Sequence, residues 1–242
     1  MSALLTVEGL VKSFGVRVID DLSLSVETGD ALGVVGPNGA GKTTMLNLLA
    51  GDLSPDDGRV LFQGEDVTRT PAEARCRKGI ARTSQIPRPF EGMTVFENVL
   101  VGAVFGAGIP RREADAVDVV VSSLERAGML ADANRTAGSL PLLGRKRLEL
   151  ARALSTEPTI LLLDEIAGGL TEGEVDELVG TIQSIHAEGV TIVWIEHIVH
   201  ALLRVVDRIM AMSFGVKIAE GDPETVMASP EVQEVYMGVE PE

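Results

Sequence analysis

The nine residues Gly36 to Thr44, GPNGAGKTT, constrain this 242-residue chain more than any other stretch. They match G-x-x-x-x-G-K-[ST], with a short apolar run, Ala31 to Val35 (ALGVV), in front and a helical pattern, Lys42 to Ala50, behind. Strand, glycine-rich loop and helix N-terminus in that order make a cradle for phosphate. Glycines let the backbone wrap an anion, and converging N–H groups with the positive helix end meet its charge. Gly36, Pro37, Asn38, Gly39, Ala40, Gly41, Lys42, Thr43 and Thr44 are therefore the expected nucleotide-binding residues. Within them, Lys42 is placed for the β- and γ-phosphates of ATP and the Thr43 hydroxyl for Mg²⁺.

Further apolar runs recur at Ile160 to Leu163, Thr191 to Ile195 and Arg208 to Met212, with helical patterns at Glu172 to Ala187 and Ile198 to Val205. Unbroken apolar runs of this length predict strands buried on both faces, hence an α/β fold with a mostly parallel sheet between helices. Leu4 to Leu10 and Leu22 to Val26 alternate instead, which predicts an antiparallel β appendage near the N-terminus. Residues 89–156 read as helical throughout, with Pro and Gly punctuation and no strand pattern. The expected organisation is one domain, 1–242, with a catalytic α/β core from 1–88 and 157–242 and a helical insertion at 89–156.

Ile160 to Glu165, ILLLDE, places two carboxylates at the C-terminal tip of a buried strand, where ligands of open α/β sheets bind. Asp164 is expected to face Mg²⁺ through its water shell, and Glu165 to polarise the attacking water. Composition narrows the partners. A net charge of −15 disfavours nucleic acid, whose phosphates attract basic faces. The longest apolar stretch, Val99 to Pro110, is glycine-interrupted and shorter than the roughly 20 residues a membrane helix needs. The start of the chain carries no leader-like pattern, and the single cysteine, Cys76, excludes an internal disulfide, so the expected location is cytoplasmic. Trp194 is expected in the core, and His186 and His200 are expected to be solvated; no His, Cys and carboxylate share the short spacing of a metal site.

With these motifs in hand, the chain strongly resembles the nucleotide-binding subunits of ABC transporters over essentially its whole length. The resemblance implies the P-loop NTPase fold with a RecA-like core. It also implies that Phe14 (VKSFG) stacks on adenine and that Gln85 (ARTSQIPRPF) links Mg²⁺ and the γ-phosphate to the membrane subunits. His197 (IVWIEHIVHAL) corresponds to the histidine that hydrogen-bonds the γ-phosphate. Lys42, Glu165, His197 and Gln85 then form the expected catalytic set, and Thr43, Gln85 and Asp164 the expected metal set. The stretch RTSQIPRPFEGMTVFENVLVGA, the helix RKRLELARAL and the C-terminal run from Ile195 to Gly238 resemble subunits that serve branched-chain amino-acid import. Relatives with these features also import urea and short amides. The implied partners are a second ATPase subunit, membrane-spanning permease subunits and a solute-binding protein, with this chain peripheral on the inner face of the cell membrane.

The sequence departs from the family at the signature segment, usually L-S-G-G-Q, which here reads Leu140 to Gly144, LPLLG. Pro141 offers neither hydroxyl nor N–H, and Leu142 and Leu143 put side chains where a phosphate needs close backbone approach. Ile166 stands where proline is usual after the paired acids, and Thr171 where Asp or Asn is usual. Each site of such a dimer joins one subunit's phosphate loop to the other's signature, so this segment weakens the partner's site. The expectation is a heterodimer with a subunit whose signature is intact; self-pairing is the alternative. Two other functions compete with transport: a regulatory nucleotide-binding subunit with low turnover, and a soluble ABC ATPase of translation or DNA repair.

Overall fold

The computed structural model describes residues 3–106, 108 and 112–237. Ala107, Ile109 and Pro110 of the long apolar stretch, Arg111, and Gly238 of the C-terminal run lie outside the described residues.

A six-stranded sheet forms the centre of the molecule. Its parallel strands are β3 (Ala31–Val35), β6 (Ile80–Arg82), β7 (Ile160–Asp164), β8 (Thr191–Ile195) and β9 (Arg208–Ser213). An antiparallel edge strand, β10 (Val216–Gly221), completes the order β10-β9-β3-β8-β7-β6. Every residue of β3, β7 and β8 is buried, because successive side chains go to opposite faces and both faces are covered. Leu32, Val34, Leu162, Val193 and Met210 pack toward helix α1 (Lys42–Ala50) and the N-terminal sheet. Leu161, Leu163, Ile192 and Trp194 pack toward helices α5 (Leu142–Leu154), α6 (Glu172–Ala187) and α7 (Val199–Leu202) on the other side. Truncating a fully buried residue such as Leu162 to Ala would cost about 2–5 kcal/mol.

The N-terminal sheet is antiparallel, in the order β2-β1-β4-β5, from β1 (Leu5–Phe14), β2 (Val16–Val26), β4 (Asp57–Phe62) and β5 (Glu65–Asp66). The two alternating stretches are thus parts of one long hairpin, interrupted by register shifts between Val7 and Ser13 where the alternation fades. Within 89–156, α3 (Val95–Phe105), α4 (Glu113–Arg126) and α5 enclose a third hydrophobic cluster around Val99, Val120, Leu124 and Leu148. No strand is present there among the described residues, only an isolated bridge between Thr94 and Thr136. Helix α5 belongs to two cores, since Leu150 and Leu154 pack with the central sheet while Leu148 and Ala151 pack with α3 and α4.

Several elements escaped the pattern. Strand β6 is three residues long and β10 carries polar residues at a sheet edge, so neither shows the apolar run of a buried strand. The helix expected over Ile198 to Val205 is confined to Val199–Leu202, because the chain turns at Leu203 to enter β9. Helices α2 (Ala72–Lys78), α8 (Pro223–Ala228) and α9 (Pro230–Met237) complete the described chain. His186 corrects an expectation: it is half-buried, with Nε2 2.9 Å from the Gly29 carbonyl and 3.3 Å from Asp207, because α6 ends against the turn before β3. His200 is exposed and Trp194 is fully buried.

Candidate functional site

Strand β3 delivers the chain directly into the glycine loop, and the loop's shape depends on two missing side chains. A Cβ on Gly36 would lie 2.2 Å from the Met212 carbonyl oxygen of β9, and one on Gly41 would lie 2.7 Å from the Val18 carbonyl oxygen of β2. Both glycines hold positive φ, 151° and 96°. Gly41 is the N-cap of α1, whose first turn carries neither a side-chain cap nor an acidic residue. The opposite end of α1 is closed: the fully buried Arg75 donates to the carbonyls of Leu48 and Leu49 at 2.7 Å each. A cation at the C-terminus and an uncapped N-terminus leave the positive end of α1 pointing at the loop.

Lys42 is buried and donates from Nζ to the carbonyls of Gly36 at 2.7 Å and Pro37 at 3.0 Å. Burial pushes its pKa down, and the nearby charges of Glu165 and Asp164 partly offset that. The lysine is therefore a desolvated cation held by its own loop, in the region an incoming anion would occupy. A cavity of about 200 Å³ runs along Asn38 to Thr44 and reaches Glu165. A second, of about 490 Å³, continues from Thr43 past Asn47, Arg82, Gln85 and Asp164.

Parallel pairing of β7 with β8 sets Asp164 opposite Ile195, which brings the two strand tips side by side. Glu165, just past β7, has φ 46°, and its backbone N–H donates to the Ile195 carbonyl at 2.9 Å. Its side chain gathers two residues that lie far away in sequence. His197 Nε2 stands 2.6 Å from Glu165 Oε1, and Gln85 Nε2 donates to Glu165 Oε2. Asp164 is 1% exposed; its Oδ2 receives Arg82 Nη2 at 2.8 Å, while Oδ1 is buried without a hydrogen-bond partner among the described residues. Arg82 also meets Asn47 and, at 2.6 Å, Asp52. The orphaned carboxylate oxygen and the exposed Thr43 lie on the same cavity wall and are oxygen ligands of the kind Mg²⁺ takes. Among the described residues no cluster of three or more His, Cys, Asp or Glu side chains could hold a resident metal.

Phe14 stands apart from this set. It is 54% exposed at the tip of the β1–β2 hairpin, with Lys12 Nζ 5.5 Å from its ring centroid. It does not line the loop cavity, though Val18, four residues further along the hairpin, does.

Sequence reasoning missed Arg82, Lys146 and Glu196. Glu196 left a readable sign, an acid at the end of an otherwise apolar strand run, directly before His197. Arg82 and Lys146 left none, since each sits in a stretch of ordinary basic residues whose burial only the fold reveals.

The segment from Leu140 to Gly144 starts α5 with Pro141 as N-cap and no side-chain cap. Leu142 is exposed and Leu143 is buried, and Arg145 turns back to donate to the carbonyls of Leu140 at 2.9 Å and Gly138 at 3.1 Å. Leu142 also reaches the segment after Glu165, since a Cβ on Gly169 would lie 3.3 Å from it. Ile166 is buried, and Thr171 forms a capping box with Glu174 at the start of α6.

Residues 19–168 match the ABC transporter family, and residues 216–242 match the family described as branched-chain amino acid ATP-binding cassette transporter. The chain is 36% identical to the high-affinity branched-chain amino acid transport ATP-binding protein BraF of Pseudomonas aeruginosa, over 97% of this chain and 98% of that protein. It is also 36% identical to the corresponding protein LivG of Escherichia coli K12, over 97% and 98%. Among solved structures it resembles a nucleotide-free ATP-binding cassette from an ABC transporter, with 32% identity, TM-score 0.89, and coverage of 97% of this chain and 99% of that one. The ADP conformation of MJ1267, an ATP-binding cassette of an ABC transporter, matches at 33% identity and TM-score 0.89 over 98% and 100%.

Proposed function

The chain belongs to the ATP-binding cassettes of ABC transporters, and from that premise we propose that it binds and hydrolyses ATP to power import of branched-chain amino acids or a related small polar solute. The solute class rests on the C-terminal match and on the similarity to BraF and LivG.

The observation that carries the reading is the convergence of Gln85 and His197 on the two oxygens of Glu165, beside Lys42 and the glycine loop. In this reading the loop amides and Lys42 hold the β- and γ-phosphates, and Lys42 exchanges the carbonyls of Gly36 and Pro37 for phosphate oxygens. Glu165 accepts a proton from the attacking water, Gln85 positions that water, and His197 donates to the γ-phosphate. Thr43, Gln85 and Asp164 would hold Mg²⁺, which would supply charge neutralisation at the phosphates. Phe14, exposed at the hairpin tip, is available to stack on the adenine.

Membrane-spanning work belongs to other chains, since among the described residues no helix is long and apolar enough to cross a membrane. Exposed Ile86 and Phe90, next to Gln85, and a groove of about 350 Å³ between α2, α3 and α5 offer the permease a surface coupled to the site. The chain then lies on the inner face of the membrane, with a solute-binding protein serving the other side. Closure of two ATPase subunits around ATP drives the permease, and hydrolysis reopens them.

Pro141, Leu142 and Leu143 make a poor phosphate donor for the opposite site, which favours a heterodimer whose other subunit completes the site built on Lys42 and Glu165. The test is Glu165→Gln in the complex of this chain with the subunits that co-purify with it. Turnover should fall by about 10²–10⁴-fold while ATP stays trapped in a stable dimer. An unchanged rate sinks the assignment of the base, and strong ATPase activity from this chain alone sinks the heterodimer.

A further inference from the structure

Two charged side chains beside the site are almost wholly buried and have no part in the chemistry above: Glu196 is 1% exposed and Lys146 is 4% exposed. Burying a charge is costly unless hydrogen bonds and an opposite charge compensate it, so their placement calls for a physical account. Glu196 ends the run of β8, and its two carboxylate oxygens reach in different directions. Oε2 accepts from the Ala167 N–H at 3.0 Å, two residues past Glu165. Oε1 accepts from the His197 N–H at 3.1 Å, and the Ile198 N–H adds a third donor. Lys146, on the first turns of α5, stands 3.4 Å from the Glu165 carbonyl oxygen, and Glu196 is the stronger of the two carboxylates acting on its charge.

One carboxylate therefore bridges the turn that carries Glu165 and the segment that carries His197, the two residues whose side chains meet at 2.6 Å. The Glu165 turn needs such a holder, because its φ of 46° is a conformation a non-glycine residue adopts at some cost. We infer that Glu196 is a positioning residue for hydrolysis, which fixes the separation of Glu165 and His197 through its bonds to the backbones of both segments. The inference rests on the assignment of Glu165 as the base.

Glu196→Gln keeps the size of the side chain and one acceptor oxygen but turns the second position into a donor facing an N–H, so one arm of the bridge is lost. In steady-state turnover of the full complex, Glu196→Gln should lower kcat by about tenfold or more while KM and the affinity for a fluorescent ATP analogue stay within about twofold. Combined with Glu165→Gln, it should add no further loss, because a residue that acts through Glu165 has nothing left to position. A kcat equal to wild type beside an inactive Glu165→Gln overturns the inference alone, as does a full additive loss in the double variant. An unchanged rate in Glu165→Gln overturns the assignment of the base and the inference with it. Should Glu196→Gln fail to fold, Glu196→Asp decides on the same criteria, since it keeps the charge but draws it back by one methylene from the N–H groups of both segments.

Discussion

Helices α1 and α5 both begin at a loop, without a side-chain cap and without an acidic residue in the first turn, yet only one of these loops is equipped to hold an anion. Helices α3 and α6 are the contrast to both, each closed by a capping box, Thr94 with Glu97 and Thr171 with Glu174. Leaving a helix N-terminus uncapped forgoes about 0.5–2 kcal/mol, and at α1 the glycines and Lys42 turn the open end into a cradle. At α5 the same open end is fronted by Pro141, which has no N–H, and by two leucines, while Arg145 satisfies the carbonyls behind it. A helix dipole alone does not make a phosphate site. Close backbone approach and free donors do, and those are decided residue by residue.

Rebuilding the second loop tests this contrast most strongly. Pro141→Ser with Leu142→Gly and Leu143→Gly restores two phosphate donors, at about 1.5–3 kcal/mol each, and should raise the ATPase rate of the chain paired with itself by about 10²- to 10⁴-fold. No gain would mean that the segment is not what limits the self-paired chain. Dismantling the first loop comes next. Lys42→Ala removes one charge-assisted contact and should weaken Mg-ATP binding, measured by calorimetry, by about 10- to 150-fold; an unchanged affinity would break the reading of the cradle.

Closing the question at the capped helices gives the smallest effect. Thr171→Ala should cost about 0.5–2 kcal/mol of stability in denaturant unfolding with nucleotide affinity unchanged. A change in affinity there would show that α6 shares in ligand binding. The same caps carry a pH signature. Hydrogen bonds from Thr171 and Thr94 hold the carboxyls of Glu174 and Glu97 below the usual glutamate value. A depressed folded-state pKa means the contribution is present above the unfolded value and is lost as pH falls through the folded one. The stability difference between wild type and Thr171→Ala should therefore narrow below about pH 4, as read from unfolding curves across pH.

What was legible in the sequence follows from locality. The glycine loop, the strand ahead of it and helix α1 occupy consecutive residues, so spacing and residue type were enough to find them. Strands β3 and β8 and helix α6 matched their sequence patterns end to end because each is a run long enough to show its period. Strands β6 and β10 were not legible, one too short and the other at a solvent-facing edge. Glu165 stands out by its place at the tip of an apolar strand run, Gln85 and His197 by resemblance alone, and nothing in their spacing says that one carboxylate meets the other two.

By itself the sequence determined the α/β class, from apolar runs recurring along the chain, and the phosphate loop and the paired acids at the tip of β7, each set by chemistry among consecutive residues. It also determined that Pro141, in the segment Leu140 to Gly144, has neither hydroxyl nor N–H to donate, which holds in any fold. Only the tertiary structure decided that β7 and β8 lie side by side, so that residues 85, 165 and 197 share one hydrogen-bonded cluster. It alone decided that Arg82, Lys146 and Glu196 carry their charges beside that cluster, largely out of water. Burial and strand order are properties of the packed chain, and a charge reads the same in sequence whether water or a protein interior surrounds it.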